Sequence, residues 1–399
     1  MTELTSSLTL TPLLGFPEVR EGDDVAALIL TVLARNEIRL MDGDILVVSS
    51  KVVSKAMGLR APAGGQAEVV LSQTVRVVAE RMTPSGVTRI VESAAGPVMT
   101  AAGVDASNTA DESIVLLLPD DPDVVAAQIR DGVQTGWLTS SGNTVLTGLI
   151  LSDTAGRPWR NGQTDFALGA CGVRVIDDLR GSTDADGRVL SVTERCIADE
   201  IAAAADLVKG KATGIPAAHL RGLGQYVLDI DDEDSVDKDT NSKDTNSKDT
   251  NGKTPDSGAV NRTDSGSTAG ARSLVRTGPQ DWFGYGMVEA VRVALGVEPG
   301  SATAAEVGIP FIIREGAAKR AMRALRVALL TCPDAVCTVD GATVSLAAPD
   351  DFALGVAATR AQVALRGEGL ATTLTRVPAP TPETADLLTT RPSVLIDFQ

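Results

Sequence analysis

The segment LSDTAGRPWRNGQTDFALGACGVRVI, residues 151–176, carries the densest group of chemically useful side chains in the sequence. Between an apolar run and a run of small residues it holds two guanidinium groups, two carboxylates and two amides, together with a threonine: Asp153, Thr154, Arg157, Arg160, Asn161, Gln163 and Asp165. Such groups are costly to order unless they are paired or bound to a ligand. The segment therefore predicts a site for a polyanion and a metal ion.

Two aspartates are candidate metal ligands by residue type. Asp105 and Asp153 each end an apolar run, and Mg²⁺ or Mn²⁺ prefers hard oxygen ligands such as carboxylates. Thr154 can add a hydroxyl or backbone oxygen. The alternative is that the two carboxylates only terminate strands in turns, and that Arg157 and Arg160 form surface salt bridges.

Several other kinds of chemistry are disfavoured. There is no G-x-x-x-x-G-K-[ST] motif, since Gly210 and Lys211 are followed by Ala212, so a Walker-type nucleotide site is not expected. The single histidine, His219, is flanked by alanine and leucine residues and fits a partly buried bystander better than a catalyst. The four cysteines lack metal-type spacing and are expected to be reduced structural thiols.

Alternating strand and helix patterns surround these residues. Strands are predicted at 8–14, 45–48 and 114–118, and helices at 24–33, 66–82, 122–133 and 193–210. Asp23 or Asp24 is expected to cap the first of these helices, and Thr193 the last. The pattern predicts a mixed α/β fold in which no βαβ ladder is long enough for a doubly wound sheet.

Six blocks of sequence carry a wider resemblance. They are LLGFPEVREGDD (13–24), GDILVVSSKVVSKAMG (43–58), AAGVDASN (101–108), SDTAGRPWRNGQTD (152–165), TERCIADEIAAAADLVKGKATGIP (193–216) and LVRTGPQDWFGYG (274–286). In these blocks and their order, the chain resembles the coenzyme F420-0:L-glutamate ligase (gamma-glutamyl ligase) family. The resemblance implies the fold of that family. It also implies an amide-forming enzyme that joins L-glutamate to coenzyme F420-0 through an acyl phosphate, with GTP hydrolysed to GDP.

The resemblance also implies roles for individual residues. Mg²⁺ or Mn²⁺ would be bound by Asp105, Asp153 and Thr154. Contacts to the guanine nucleotide would fall on Phe16, Pro17, Glu18, Val19, Ser50, Lys55, Asn108, Lys209, Gly210 and Lys211, with the turn that follows as far as Pro216. Arg157, Arg160 and Lys55 are predicted to act in catalysis, on substrate or nucleotide phosphates. By residue type alone, Lys55 could also be a solvated cap after a strand.

One position departs from the family. Where this chain has Lys211, some relatives carry an amide side chain able to bind a second metal ion, which an ammonium group cannot do. Two alternatives follow. Either the lysine supplies the charge of a second ion, or a second ion relies on Thr154 and water.

Two further segments set the predicted domain organisation. Residues 238–253 repeat KDTNS without an apolar residue, which predicts a disordered insertion at 231–270 within a ligase-like domain at 1–297.

Residues 298–399 are predicted to be a smaller, degenerate nitroreductase-like or unassigned α/β domain, as in fused actinobacterial relatives but shortened. Because no Arg-rich phosphate-binding start precedes it, no flavin is expected. Met322, Leu325, Leu329 and Leu330 are expected to face its core.

Charge and composition limit the partners. A formal net charge of −16 disfavours nucleic acid, and no apolar run is long enough for a membrane helix. With no secretory signal at the N-terminus, we expect a cytoplasmic protein that binds small molecules, F420-0, L-glutamate and GTP. The resemblance implies a homodimer. The alternative to a ligase is a catalytically idle nucleotide-binding scaffold or regulator of the same fold.

Overall fold

The computed structural model describes residues 7–107, 109, 111–157, 160–229, 270–313, 315–377 and 391–399. The chain divides into two compact units. The first comprises Met1–Gly64, Ala95–Pro97 and Val104–Val275, and the second comprises Gly65–Ala94, Val98–Gly103 and Arg276–Gln399. Both units combine helices and sheets, so the predicted mixed α/β class is confirmed. The predicted domain boundary after residue 297 stays a prediction, as does disorder at 231–270, which lies outside the described residues except for Gly270.

Strands and helices are interspersed along the chain. The strands are β1 Thr9–Pro12, β2 Asp44–Ser49, β3 Arg60–Pro62, β4 Thr74–Thr83, β5 Gly86–Ser93, β6 Val98–Thr100, β7 Ile114–Leu116, β8 Thr147–Arg157, β9 Arg160–Cys171, β10 Ile176–Asp178, β11 Glu194–Cys196, β12 Ala217–Arg221, β13 Val336–Asp340, β14 Thr343–Ala347, β15 Thr372–Arg376 and β16 Ser393–Phe398. The helices are α1 Val25–Arg35, α2 Ser50–Ala56, α3 Gln66–Ser72, α4 Pro122–Ser141, α5 Ile197–Lys209, α6 Met287–Ala294, α7 Ala302–Val307, α8 Ala317–Leu329 and α9 Asp351–Gly367.

A five-stranded sheet organises the first unit, in the order β1-β12-β2-β8-β9. Strands β2 and β8 are parallel, and the remaining neighbours are antiparallel. The central strand β2, DILVVS, is apolar along most of its length and is buried on both faces. Such a strand needs a layer of structure on each side of the sheet.

The period-two alternation of β2 separates two cores. Leu46 and Val48 pack on one face with residues of α1, α2 and α4. Ile45 and Val47 pack on the other face with the apolar stripe of α5. Since successive side chains of a strand point to opposite faces, one apolar strand holds both layers together.

Two helix starts agree with the sequence. Asp24 caps α1, because its carboxylate accepts the backbone N–H of Ala27 at 3.0 Å. The helix predicted from Pro122 begins at that residue, with Asp121 as its cap. It continues to Ser141, beyond the predicted end at residue 133, and stops where Gly142 takes a left-handed conformation (φ 74°).

Two helix predictions are wrong in part. The helix predicted at 66–82 ends at Ser72, and Thr74–Thr83 forms strand β4, which pairs with β5. β-Branched residues in TVRVVAERMT favour an extended chain once a partner strand is present. The helix predicted from residue 193 begins at Ile197, because Glu194–Cys196 pairs with β10. Thr193 therefore does not cap it.

The second unit has its own core. The antiparallel sheet β13-β14-β16-β15 packs against α8 and α9. Part of the predicted α8 stripe is wrong: Leu325 is buried, but Met322 and Leu330 are exposed. Arg323 is buried instead, because its guanidinium group is paired with Glu315 and Glu368. Paired guanidinium groups tolerate burial that an unpaired charge would not.

Candidate active site

A pocket of about 420 Å³ lies in the first unit. Its walls come from the loop after β1, from α2, and from the end of α5 with the turn that follows. Its lining residues are Phe16, Pro17, Glu18, Val19, Ser49, Lys51, Val52, Lys55, Thr109, Asp165, Asp206, Lys209, Gly210, Lys211, Gly214, Ile215 and Pro216. The pocket thus gathers segments that are about 200 positions apart in sequence.

Most of the residues predicted to contact nucleotide line this pocket. They are Phe16, Pro17, Glu18, Val19, Lys55, Lys209, Gly210 and Lys211. Ser50 is buried at the first position of α2, adjacent to Ser49 and Lys51 of the pocket wall. Asn108 lies outside the described residues. The structure therefore brings together segments that the sequence only suggested belonged to one site.

The pocket lining combines four lysines with three carboxylates, Glu18, Asp165 and Asp206. The lysines are Lys51, Lys55, Lys209 and Lys211. The ammonium group of Lys55 donates to the carboxylate of Glu18 at 2.5 Å, and the Glu18 side chain is largely exposed. Several ammonium groups around a concave surface suit a ligand with several negative charges, such as a polyphosphate.

The parallel pairing of β2 and β8 places the neighbouring carboxylate. Ser49 lies opposite Ser152 at the end of the parallel register. Ser50, which begins α2, and Asp153, which stays in β8 opposite Phe166 of β9, therefore follow at the same end of the parallel pair. The hydroxyl of Ser50 donates to Asp153 Oδ1 at 3.1 Å. Ligands commonly bind at the carboxyl ends of parallel strands, and the predicted metal residue Asp153 lies at that end.

The charge of Asp153 is poorly compensated. Burial, with a smaller contribution from the negative charge of Asp105, raises the pKa of Asp153 to about 6, although hydrogen bonds from Thr154 and Ser50 and the positive charge of Lys51 act in the opposite direction. Asp105, in contrast, forms a direct ion pair with Lys51. Burial also raises the pKa of Asp105, but hydrogen bonds from Lys51, at 2.6 Å, and from Ser107 outweigh burial and lower it below its ordinary value.

These residues fit a divalent cation. A group of three or more histidine, cysteine, aspartate or glutamate side chains arranged for a metal does not occur in the described part of the chain. Two carboxylates close enough to repel one another do occur, and for one of them, Asp153, burial outweighs the hydrogen bonds and the Lys51 charge that favour the ionised form. A hard cation would supply the missing charge, with further oxygen ligands from Thr154, substrate or water.

The predicted arginines lie elsewhere. Arg157 and Arg160 face each other across the β8–β9 hairpin, and both are exposed. Arg157 donates to the backbone oxygen of Asn161 at 2.6 Å. Neither side chain lines the described pocket, so their catalytic role stays a prediction.

Two functional candidates were given no individual role from the sequence. Lys51 lines the pocket and binds Asp105. Asp165 lines the pocket and is 4 % exposed, with Lys209 at 2.8 Å and the hydroxyl of Thr154 at 2.5 Å. Asp165 lies opposite Thr154 in the hairpin register, a pairing that the sequence alone does not define.

The histidine and the cysteines lie outside the chemistry of the pocket. His219 is buried in β12, where Nε2 is 2.8 Å from Asp44 Oδ2. Asp44 begins β2, so this pair lies at the opposite end of that strand from Ser50. The described cysteines are free thiols, and burial raises the pKa of Cys196 to about 12. A thiol with such a pKa is a poor nucleophile.

A mixed α/β unit with a pocket lined by lysines and carboxylates, near the carboxyl ends of two parallel strands, has the form of a small-molecule binding site. A family model described as F420-0:Gamma-glutamyl ligase matches residues 14–62 and 60–222. The chain belongs to this family. The resemblance seen in the sequence is thereby confirmed, and so is the ligase class; the fused actinobacterial subtype stays a prediction.

Curated relatives agree with this assignment. The coenzyme F420:L-glutamate ligase of Archaeoglobus fulgidus is 39% identical over 229 residues, which cover 53% of this chain and 86% of the relative. The protein of the same name from Halorubrum lacusprofundi is 36% identical over 220 residues, covering 50% and 81% respectively. In the described ranges, none of the helices has the length and apolar character needed to cross a membrane.

Proposed function

We propose that this protein adds L-glutamate to coenzyme F420-0 in a reaction that depends on GTP and a divalent metal ion. The observation that carries the proposal is the lysine-lined pocket, whose walls contain most of the residues predicted to contact nucleotide. Asp105 and Asp153 add an acidic pair beside it. Substrate identity follows from the relatives named coenzyme F420:L-glutamate ligase.

The proposed reaction has two steps. The carboxylate of the F420-0 side chain attacks the γ-phosphorus of GTP, and the bond to the bridging oxygen breaks, giving an acyl phosphate and GDP. The amine of L-glutamate then attacks the acyl carbon. Inorganic phosphate leaves with the electrons of the C–O bond, the nitrogen loses a proton, and an amide remains. Both steps move negative charge that cationic side chains can stabilise.

Lysines of the pocket would hold the phosphates. Lys55 is oriented by Glu18 in the structure. A guanine edge presents N–H donors to a carboxylate, so Glu18 would exchange its ammonium partner for the base, and Lys55 would then be available to phosphate. Arg157 and Arg160 are proposed to contact substrate or nucleotide phosphates, and a homodimer is proposed from the family resemblance.

Asp105, Asp153 and Thr154 would hold Mg²⁺ or Mn²⁺, and such an ion supplies charge neutralisation on the transferring phosphoryl group when bound. Lys211 bears on whether a second ion is needed. Its ammonium group contacts the hydroxyl of Thr154 and lies 3.3 Å from Asp165 Oδ1. This position supports the alternative in which the lysine supplies the charge of a second ion.

The decisive experiment is phosphate release from GTP by the purified protein, with F420-0 and L-glutamate supplied singly and together. The ligase hypothesis expects release only with both substrates, and a glutamylated product by mass spectrometry. A protein that binds GTP without turnover would instead be the idle scaffold or regulator.

A single substitution tests the acidic pair. Asp153→Asn should lower turnover by about a hundredfold or more, because a ligand charge for the proposed cation is lost. Asp44→Asn is the matched control, since it removes a buried carboxylate from the same sheet but far from the pocket. Normal turnover by Asp153→Asn would remove this residue from the mechanism.

A further inference from the structure

Asp165, in the pocket wall, has hydrogen-bond partners at both oxygens of its carboxylate. Its Oδ2 accepts from the ammonium group of Lys209 at 2.8 Å and from the hydroxyl of Ser152 at 3.0 Å. Its Oδ1 accepts from the hydroxyl of Thr154 at 2.5 Å and lies 3.3 Å from the ammonium group of Lys211. A carboxylate has about four acceptor sites, so the available sites are filled.

The two lysines around this carboxylate differ in exposure. The side chain of Lys209 is 4 % exposed, and its ammonium group is also bound to Ser152 at 2.7 Å. Lys209 therefore balances the buried charge of Asp165. The side chain of Lys211 is 55 % exposed, so its ammonium group can reach a ligand in the pocket.

An exposed lysine usually samples many rotamers. Fixing one costs roughly a tenfold factor or more in affinity when the ligand must do it, because side-chain entropy is lost on binding. In this pocket Asp165 and Thr154 already hold the Lys211 ammonium group in place. The side-chain entropy of Lys211 is therefore already reduced in the folded protein before a ligand binds.

We propose that Asp165 is a positioning residue for polyphosphate binding, which holds the Lys211 ammonium group and the Thr154 hydroxyl in one array while Lys209 balances its charge. The proposal rests on the proposed function for the identity of the natural ligand. The array itself also predicts binding of inorganic polyphosphate, which needs no turnover.

Net charge alone would change the anion affinity in the opposite direction when Asp165 is removed. Asp165 is a negative charge in the wall of a pocket for an anion, so its removal should strengthen anion binding if only net charge mattered. Under the positioning hypothesis its removal weakens binding, because Lys211 is released and Lys209 is left buried without its counter-charge. The sign of the change distinguishes the two.

The test is calorimetric titration of the full chain with GTP and with inorganic tripolyphosphate. Asp165→Asn should weaken both by about tenfold, and should raise the KM for GTP. Asp44→Asn is the matched control, because Asp44 is a buried carboxylate of the same sheet, paired with Arg221 and His219. It should leave both affinities within about twofold. Tighter or unchanged binding by folded Asp165→Asn overturns the proposal.

A second variant covers the case in which Asp165→Asn does not fold. Asp165→Asn with Lys209→Met removes both buried charges, so no uncompensated charge remains. In this background Lys211→Met should cost less than about twofold, whereas in the wild-type chain it should cost about tenfold. Equal losses in both backgrounds overturn the positioning role. Failure of the wild type to bind either polyanion overturns this proposal together with nucleotide binding, whereas binding without glutamylation overturns the proposed function alone.

Discussion

Asp44 shows how one buried charge can be stabilised by local partners. The side chain is 1% exposed, and its oxygens accept from Arg221 at 2.8 and 2.7 Å and from the backbone of Met41 at 2.9 Å. Burial raises the pKa of this carboxyl, but hydrogen bonds from Arg221, His219 and Met41 outweigh it and lower the pKa from 3.8 to about 2. The ionised form is therefore favoured by the fold.

The stability of the first unit should depend on this carboxylate in acid. Because the folded pKa lies below the unfolded value of 3.8, the stabilisation is complete above about pH 4 and is lost as pH falls towards 2. A shift of nearly two pKa units corresponds to about 2 kcal/mol. Urea unfolding of Asp44→Asn should thus show a loss of about that size at pH 7, and a smaller difference from wild type near pH 3.

Asp131→Asn is a suitable control for this measurement, since the Asp131 side chain is 68% exposed and its nearest guanidinium nitrogen is 3.9 Å away. It should change stability by less than about 0.5 kcal/mol at either pH. An Asp44→Asn deficit that stays constant between pH 7 and pH 3 would contradict the assignment.

Helix α4 is connected to two other segments by the side chain of Asp123 in its first turn. Asp123 Oδ1 accepts the N–H of Ala170 in β9 and the N–H of Ala271, both at 2.8 Å, and Oδ2 accepts the N–H of Arg272 at 3.0 Å. One carboxylate thereby joins a helix, a sheet strand and the segment at which the described chain resumes after residue 229. A Cβ on Gly270 would lie 2.2 Å from Asp123 Cγ, so only glycine fits beside this carboxylate.

Asp123→Ala should destabilise the first unit by about 3 kcal/mol, because three backbone N–H groups lose their acceptor at roughly 1 kcal/mol each. Asp123→Asn keeps one acceptor oxygen and should cost about half as much. Gly270→Ala should also destabilise, by crowding the same carboxylate. Urea unfolding measures all three, and an Asp123→Ala variant as stable as wild type would show that water replaces these bonds without loss.

The second unit is assembled from separate parts of the chain. The N–H of Met82, in β4, donates to the backbone oxygen of Pro310 at 2.7 Å, and the N–H of Ile312 donates to Met82 at 3.1 Å. Glu80 Oε2 accepts the N–H of Gly300 at 2.8 Å. Strand β4 therefore depends on residues far beyond the family-like blocks for part of its hydrogen bonding.

Truncation after Gly300 should leave the residues of the lysine-lined pocket in the chain but remove most of the second core, which runs from Leu295 to Phe398. Strand β4 would then expose unpaired backbone groups and apolar side chains, which favours aggregation. We expect a lower soluble yield and increased binding of a hydrophobic dye. Wild-type yield and thermal stability of the truncated chain would contradict a cooperative second unit.

Local sequence was sufficient where local chemistry decides the structure. The cap at Asp24, the start of α4 at Pro122 and the apolar strand β2 depend on residues within a few positions of one another. Several family blocks carry pocket segments: residues 13–24 supply the loop after β1, residues 43–58 supply α2, and residues 193–216 supply the end of α5 with the turn that follows. Periodicity failed at 66–82, where an apolar pattern is compatible with helix or strand and the pairing partner β5 decides.

Tertiary structure decided which side chains meet. The sequence by itself determined the family, the mixed α/β class and most of the pocket's lining, because these follow from short motifs and residue types. It did not determine that Asp165 binds Lys209, 44 positions away, or that Arg323 is buried on α8. Those contacts depend on strand register and helix packing, which are fixed only when segments distant in sequence bury their apolar surfaces together. The same packing must also pair each buried charge with an opposite one.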